Sequence, residues 1–204
     1  MPDQLVQFRR IRGIGGGSTE LAAGVAGDYR AGLSVNIGCV RLMERFGLEN
    51  AAASDAVAAA RAAITAALAP ACAQVLRAAF ADSATIALPR PPVPVVLATG
   101  GTANIAAAAL TAGACCGVFD HHTRLGLNAV EATALHLLTL DVAARARQPG
   151  VPADRAAVLP TGMLILAAAL RLLGAATATV STRGLRYGLA LRLCAGTLPP
   201  VWRW

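Results

Sequence analysis

Two glycine-rich turns hold the residues best suited to chemistry. The first is Gly13-Ile14-Gly15-Gly16-Gly17-Ser18-Thr19-Glu20-Leu21. Its consecutive glycines let main-chain N–H groups converge on an anion without side-chain obstruction, and Ser18 and Thr19 add hydroxyl donors. The second is Ala98-Thr99-Gly100-Gly101-Thr102-Ala103, between a short apolar run and an alanine-rich one. Read as strand, turn and helix, it adds the first N–H groups and the dipole of a helix to the attraction for a negative group. One such segment has an ordinary explanation as a tight turn, but two in one chain favour phosphate as the ligand. A dinucleotide site would need the first loop to open a helix, and the run from Thr19 to Val25 looks like a strand. A P-loop is excluded, because the chain has no lysine and that motif places one on the phosphates. His121 and His122, next to Asp120, match no zinc-site spacing and read as an ordinary loop pair.

The elements that must position these turns follow from periodicity. Phe8 to Ile14, Glu20 to Val25 and Tyr29 to Asn36 are short runs between glycine breaks, expected to form an antiparallel meander. Val40, Met43 and Phe46 have helical spacing, with Gly47 as the stop. A long alanine-rich helix is predicted from Glu49 to Ala81, kinked or split at Pro70. A strand at Pro94 to Ala98 precedes helices at about Thr102 to Thr111, Asn128 to Arg147 and Ala153 to Leu173. A strand at Thr177 to Ser181 and a helix from Arg183 to Leu193 end the chain. Three strands followed by alternating helices and strands give a mixed α/β fold.

Composition narrows the function. At 204 residues with 56% hydrophobic and 14% charged residues, the chain is neither disordered nor coiled coil and can bury a substantial core. All 18 basic residues are arginine and 48 residues are alanine, a bias that weakens any functional reading of a single arginine. The net charge of +7 would suit a polyanion. The arginines are nonetheless scattered outside Arg9, Arg10 and Arg12, and aromatics are too few for base stacking. Leu140 to Arg147 followed by Gly150-Val151-Pro152 mimics a helix-turn-helix, supported by one basic pair, Arg145 and Arg147. Five cysteines without a Cys-x-x-Cys indicate neither a disulfide framework nor a zinc site, and fit a reducing cytoplasm. The vicinal Cys115 and Cys116 read as small buried filler. No signal peptide is recognisable. Pro91 to Phe119 is uncharged, but its prolines and Gly100-Gly101 mark a strand, a turn and a helix of a soluble core, so no membrane span is expected.

Four segments in order carry a family resemblance. They are Ile14-Gly15-Gly16-Gly17-Ser18-Thr19-Glu20-Leu21, Ser34 to Phe46, Thr99-Gly100-Gly101-Thr102-Ala103, and Val180-Ser181-Thr182-Arg183-Gly184-Leu185-Arg186-Tyr187-Gly188. Together they resemble the Ppx/GppA phosphatases, the exopolyphosphatases and guanosine pentaphosphate phosphohydrolases, from about Gly13 to Leu193. His121 to Ala132 is similar to the stretch before the family's next helix. The resemblance implies an actin-like, ribonuclease-H-like lobe of the ATPase superfamily that releases terminal phosphate from polyphosphate or guanosine pentaphosphate with magnesium. Gly15, Gly16, Gly17, Ser18, Thr19, Gly100, Gly101 and Thr102 would then bind phosphate. Arg41 and Arg186 would face the polyanion, and Glu20 would hold magnesium through water.

Two departures stand out. The family has an aspartate where this chain has Gly13, and residues 1–12 resemble nothing in the family, leaving 13–204 as its second lobe. The family's first lobe, with its own phosphate loop and the glutamate that activates water, has no counterpart, so an N-terminally truncated chain, inactive by itself, is expected. The competing readings are a catalytically dead polyphosphate-binding remnant, which could pair as a homodimer, and the helix-turn-helix protein, with nucleic acid the less favoured partner.

Overall fold

The computed structural model describes residues 7–25, 28–80, 95–111 and 121–196. Strands β1 (Gln7–Ile14), β2 (Thr19–Val25) and β3 (Asp28–Val35) form the antiparallel meander. Then come α1 (Cys39–Phe46), α2 (Ser54–Phe80), β4 (Val95–Thr99), α3 (Gly101–Thr111), β5 (Arg124–Gly126), α4 (Leu127–Leu138), α5 (Val142–Ala146), α6 (Leu159–Leu172), β6 (Thr177–Ser181) and α7 (Leu185–Cys194). One sheet takes the strands in the order β3-β2-β1-β4-β6-β5, with β1, β4 and β6 parallel. Parallel neighbours need long crossovers, and helices supply them. Because β1 starts at Gln7 and pairs with both β2 and β4, the boundary at residues 12 and 13 falls inside a central strand. Cys115, Cys116, Asp120 and Pro91 to Pro94 lie outside the described residues.

Helix α2 illustrates how the core is assembled. Ala60, Ile64, Leu68, Ala71, Cys72 and Val75 recur every three or four positions and are buried against β2, β3 and α6. That spacing makes one apolar stripe of a surface helix. Ser54 to Ala78 is long and apolar enough to cross a membrane by length and composition. The buried stripe, with Arg61 on the exposed side joined to Glu131 of α4, identifies it as a helix covering a sheet. Pro70 does not split it. Pro70 is on the solvent side, where the carbonyl deprived of its donor can turn to water. Helix α6 is the central core helix, with 11 of its 14 residues buried. Tyr187, Leu189, Leu191 and Leu193 of α7 are exposed.

The sequence boundaries fail in three places. The helix expected from Asn128 to Arg147 is two helices, because Asp141 accepts the Ala144 N–H at 2.6 Å and caps a new start. The helix expected from Ala153 begins as a 3-10 turn at Ala153–Arg155, and α6 starts afresh with Pro160 in its first turn, where a missing N–H costs nothing. The long helix begins at Ser54 rather than Glu49, because the carbonyls of the preceding loop are engaged elsewhere.

What engages them is Arg145. It is 0% exposed, and its guanidinium donates to the carbonyls of Leu137 and Glu49 at 2.7 Å, Asn50 at 2.8 Å, Leu48 at 3.2 Å and Ala157 at 3.3 Å. Burial lowers its pKa, while Asp141 and Glu49 pull it back up. The group therefore ties the loop after α1 to the end of α4 and the approach to α6. It also removes the helix-turn-helix reading: Arg145 cannot reach a phosphate backbone, α5 has five residues, and the next helix, α6, is core.

Arg145→Met should lower the thermal midpoint by at least about 6 °C, because each deserted buried acceptor costs about 1–3 kcal/mol and about 1 kcal/mol shifts a chain of this size by roughly 2–4 °C. Arg145→Lys, with three donors in place of five, should fall between the two. Calorimetry of the three proteins checks this, and an unchanged midpoint for Arg145→Met would contradict it.

Candidate functional site

Strands β1, β4 and β6 run parallel, so their carboxyl ends, Ile14, Thr99 and Ser181, reach the same edge of the sheet. Open α/β sheets bind ligands at that edge. Both glycine turns lie there.

The first loop is built from behind by α1. The N–H groups of Cys39 and Val40 donate to the carbonyls of Gly15 and Gly16 at 2.9 and 3.0 Å, and Arg41 N–H joins Gly16 at 3.2 Å. So close an approach requires Gly38, since a Cβ there would run into the Gly16 carbonyl. In a trans peptide the C=O and the following N–H point in opposite directions. Pinning the carbonyls of Gly15 and Gly16 to α1 therefore turns the N–H groups of Gly16 and Gly17 away from it, and these have no partner among the described residues. Gly15 N–H is used internally, donating to Ser18 O at 2.8 Å. Arg41 stands beside this loop: a Cβ on Gly17 would lie 3.5 Å from its Nε.

Two hydroxyls expected at the anion face inward instead. Thr19 is 0% exposed and its Oγ1 donates to Ile37 O at 2.7 Å. Thr102 is 9% exposed and its Oγ1 donates to Ile14 O at 3.1 Å. Both hold the loops in shape, because a buried hydroxyl must find an acceptor and the nearest are main-chain carbonyls. Two residues that sequence reading passed over support them from α6. Thr161 Oγ1 donates to Cys39 O at 3.0 Å, and a Cβ on Gly162 would press on Thr102. In the sequence they look like the start of any apolar helix.

Glu20 pairs with Gly13 across β1 and β2, after a bulge that gives Arg12 no partner in the register. Its Oε1 accepts from Ser18 Oγ at 2.6 Å and Ser34 Oγ at 3.3 Å. Its Oε2 faces Gly13, where a Cβ would stand 3.3 Å away. The second loop closes the other side. Gly100 adopts φ +96°, a left-handed conformation that favours glycine, and a Cβ on it would lie 3.6 Å from Gly13 Cα. The two glycine loops are thus neighbours around Gly13, and Gly101 opens α3 with free space over it. Arg186 is exposed in the first turn of α7, and no described contact joins it to either loop.

At the end of β6, Thr182 N–H donates to His121 Nδ1 at 3.2 Å. The His121 and His122 rings lie 3.9 Å apart. No group of three or more His, Cys, Asp or Glu could hold a metal ion among the described residues. Magnesium takes oxygen ligands, commonly one or two carboxylates completed by phosphate and water. With Oε1 occupied, Glu20 offers one oxygen. That fits a magnesium arriving on a phosphate, and does not fit an all-protein magnesium site.

A family model, the Ppx/GppA phosphatase family, matches residues 13–195. Among solved structures, the Aquifex aeolicus Ppx/GppA phosphatase, type II variant, is similar with a TM-score of 0.72 and 22% identity, over 93% of this chain and 57% of that one. An exopolyphosphatase from Cytophaga hutchinsonii gives 0.74 and 20%, over 97% and 59%. The chain thus spans less than two thirds of the length of either. Comparison with curated proteins gives no match. Since the family match spans residues 13–195, with both glycine loops and α7 inside it, this chain belongs to the Ppx/GppA phosphatase family and has its actin-like fold.

Proposed function

We propose that this chain binds the terminal phosphates of polyphosphate or guanosine pentaphosphate and supplies one wall of a phosphoanhydride hydrolase. The observation that carries the reading is the adjacency of two glycine loops around Gly13, one with N–H groups turned outward by α1, the other opening α3. Main-chain N–H groups stabilise phosphate oxygens without the bulk or the mobility of a side chain. Arg41 adds positive charge beside the first loop. Exopolyphosphatase and Ppx/GppA phosphatase relatives support the class of ligand.

Glu20 would hold magnesium through Oε2, and a bound magnesium would supply neutralisation of charge on the transferred phosphoryl group. The chain's own residues do the rest of the binding: Gly16, Gly17 and the first turn of α3 orient the oxygens, and Ser18 and Ser34 fix the carboxylate. Hydrolysis also needs a base for the attacking water on the opposite side of that group. Glu20 is engaged by two hydroxyls beside the loop, which supports a cation-holding role over taking a proton from water. A binding protein without turnover is the second reading, favoured by the absence of a carboxylate at position 13.

With magnesium the chain should therefore bind short-chain polyphosphate while releasing phosphate about 10²–10⁴-fold more slowly than an active exopolyphosphatase, the usual cost of lacking a positioned base, since Glu20 would not serve as one. Gly17→Val should keep the thermal midpoint, because its Cβ meets only the movable end of Arg41. It should weaken binding of tripolyphosphate about tenfold in isothermal titration by covering the outward N–H groups. Unchanged affinity would make this loop a tight turn and nothing more.

Gly13→Asp tests the metal. The new carboxylate would face Glu20 Oε2, and two like charges next to a polyanion are tolerable only with a cation between them. Tripolyphosphate binding by this variant should weaken without magnesium and recover with it, whereas the parent should depend on magnesium less. Equal weakening in both conditions would remove the metal from this place.

A further inference from the structure

Building on the phosphate-binding reading above, we propose that the carboxyl end of β6 carries a second anion subsite, formed by His121 and Arg183 with Thr182 holding the imidazole, which makes the ligand of this cleft an extended linear polyphosphate. In the sheet, Thr99 of β4 is in register with Ser181 of β6, so Gly100 and Thr182 follow each other along the same edge. Adjacent strands are about 4.8 Å apart. The ends of β1, β4 and β6 therefore make a row, with the first glycine loop, Gly100 and Thr182 at successive steps. His121 extends the row by one step. His122 N–H donates to Val180 O at 2.8 Å and Val180 N–H to Thr123 O at 2.8 Å, which puts His121 on the side of β6 away from β4.

The chemistry of this step is that of an anion donor set. A main-chain N–H can only donate, so the contact from Thr182 N–H fixes His121 Nδ1 as an acceptor and leaves the proton of the neutral ring on Nε2. The ring thus presents an N–H donor, and without a lone pair on Nε2 it is not a metal ligand. Desolvation, then His122 and the Arg183 guanidinium, lower the His121 pKa from its ordinary value, in keeping with a neutral ring. Arg183 has no ion pair among the described residues, and its guanidinium rests over the Tyr187 ring, 5.0 Å from the centroid. His122 is held at φ +81°, the one non-glycine residue with positive φ among those described. Such strain persists where the surroundings enforce it, and it gathers at binding sites. The Thr182 hydroxyl also lies 3.2 Å from Nδ1 and helps to hold the ring, so the donors turned to a ligand are the His121 Nε2–H and the Arg183 guanidinium, and both suit the oxygens of phosphate. Two such sites separated by the width of a strand suit a chain of phosphates better than one group.

The test is isothermal titration of the full chain with tripolyphosphate, a long linear polyphosphate and guanosine pentaphosphate, using the parent, His121→Ala, His121→Gln and Arg183→Ala. Circular dichroism and the thermal midpoint establish that each variant is folded. The expected result is that His121→Ala and Arg183→Ala each weaken the long polymer about tenfold and leave tripolyphosphate unchanged, while His121→Gln, which keeps an N–H donor, retains part of the difference. The proposal is overturned if the variants weaken tripolyphosphate and the polymer alike, if neither changes, or if guanosine pentaphosphate alone depends on His121, which would make this a nucleoside contact. If tripolyphosphate does not bind the parent at all, the reading of the glycine loops fails first, and the subsite fails with it.

Discussion

The geometry of the site depends on the pairing of two carbonyls, those of Gly15 and Gly16, with the first N–H groups of α1. A helix N-terminus is normally where an anion would bind, because its N–H groups lack partners. Here the loop's own carbonyls occupy that place, and the consequence is transferred through the planar peptide: N–H groups one residue on are turned outward. The anion-binding capacity is thus moved from α1 to the loop in front of it. This explains why glycine is needed twice over. Gly38 lets the backbone come close enough for the pairing, and Gly16 and Gly17 leave the turned N–H groups uncovered.

Everything behind the loop serves to keep α1 in that position. Thr161 on α6 holds the Cys39 carbonyl, and Thr19 on β2 holds the Ile37 carbonyl just before the helix. At the far end of α1, Arg145 collects the carbonyls of Leu48, Glu49 and Asn50. Its burial is tolerable because five main-chain acceptors surround a guanidinium whose donors have fixed geometry. On the remaining side, Glu131 of α4 bridges Arg61 of α2 and Arg171 of α6. The two arginines are largely exposed, so this bridge contributes little to stability beside Arg145.

The sequence made the glycine turns, the meander and the order of elements legible, because glycine punctuation and apolar periodicity are local signals. It could not show which way a hydroxyl points. Thr19 and Thr102 sit in phosphate-binding company, yet both donate to main-chain carbonyls, an outcome set by packing across 18 and 88 residues of sequence. Arg145 was misread for the same reason: beside Arg147 it looks like a basic pair, while the carbonyls that bury it come from loops up to 97 residues away. Strand β5 has three residues, one of them buried, too few to show a period. The capping role of Asp141 was the one missed feature with a local signal, since an aspartate three residues before the N–H it accepts is an ordinary helix start.

The charge balance around Gly13 sets what the cleft can hold. A pair of carboxylates facing each other from β1 and β2 would need a cation whether or not substrate were present. With glycine at 13, Glu20 stands alone, and two hydroxyls already delocalise the charge on its Oε1. The empty cleft is therefore not a strong cation trap. In the proposed function, its outward N–H groups and Arg41 favour an anion first, and a cation would enter as part of the phosphate's own counter-charge. With glycine where the Ppx/GppA resemblance implies an aspartate, the proposed site would hold phosphate that brings a metal, rather than a metal that recruits phosphate. The row proposed above, running from the glycine loops past Gly100 to His121 and Arg183, would add to the same side of the balance. A ligand with many oxygens can satisfy several strand ends at once, and each further contact is gained without the cost of binding another molecule.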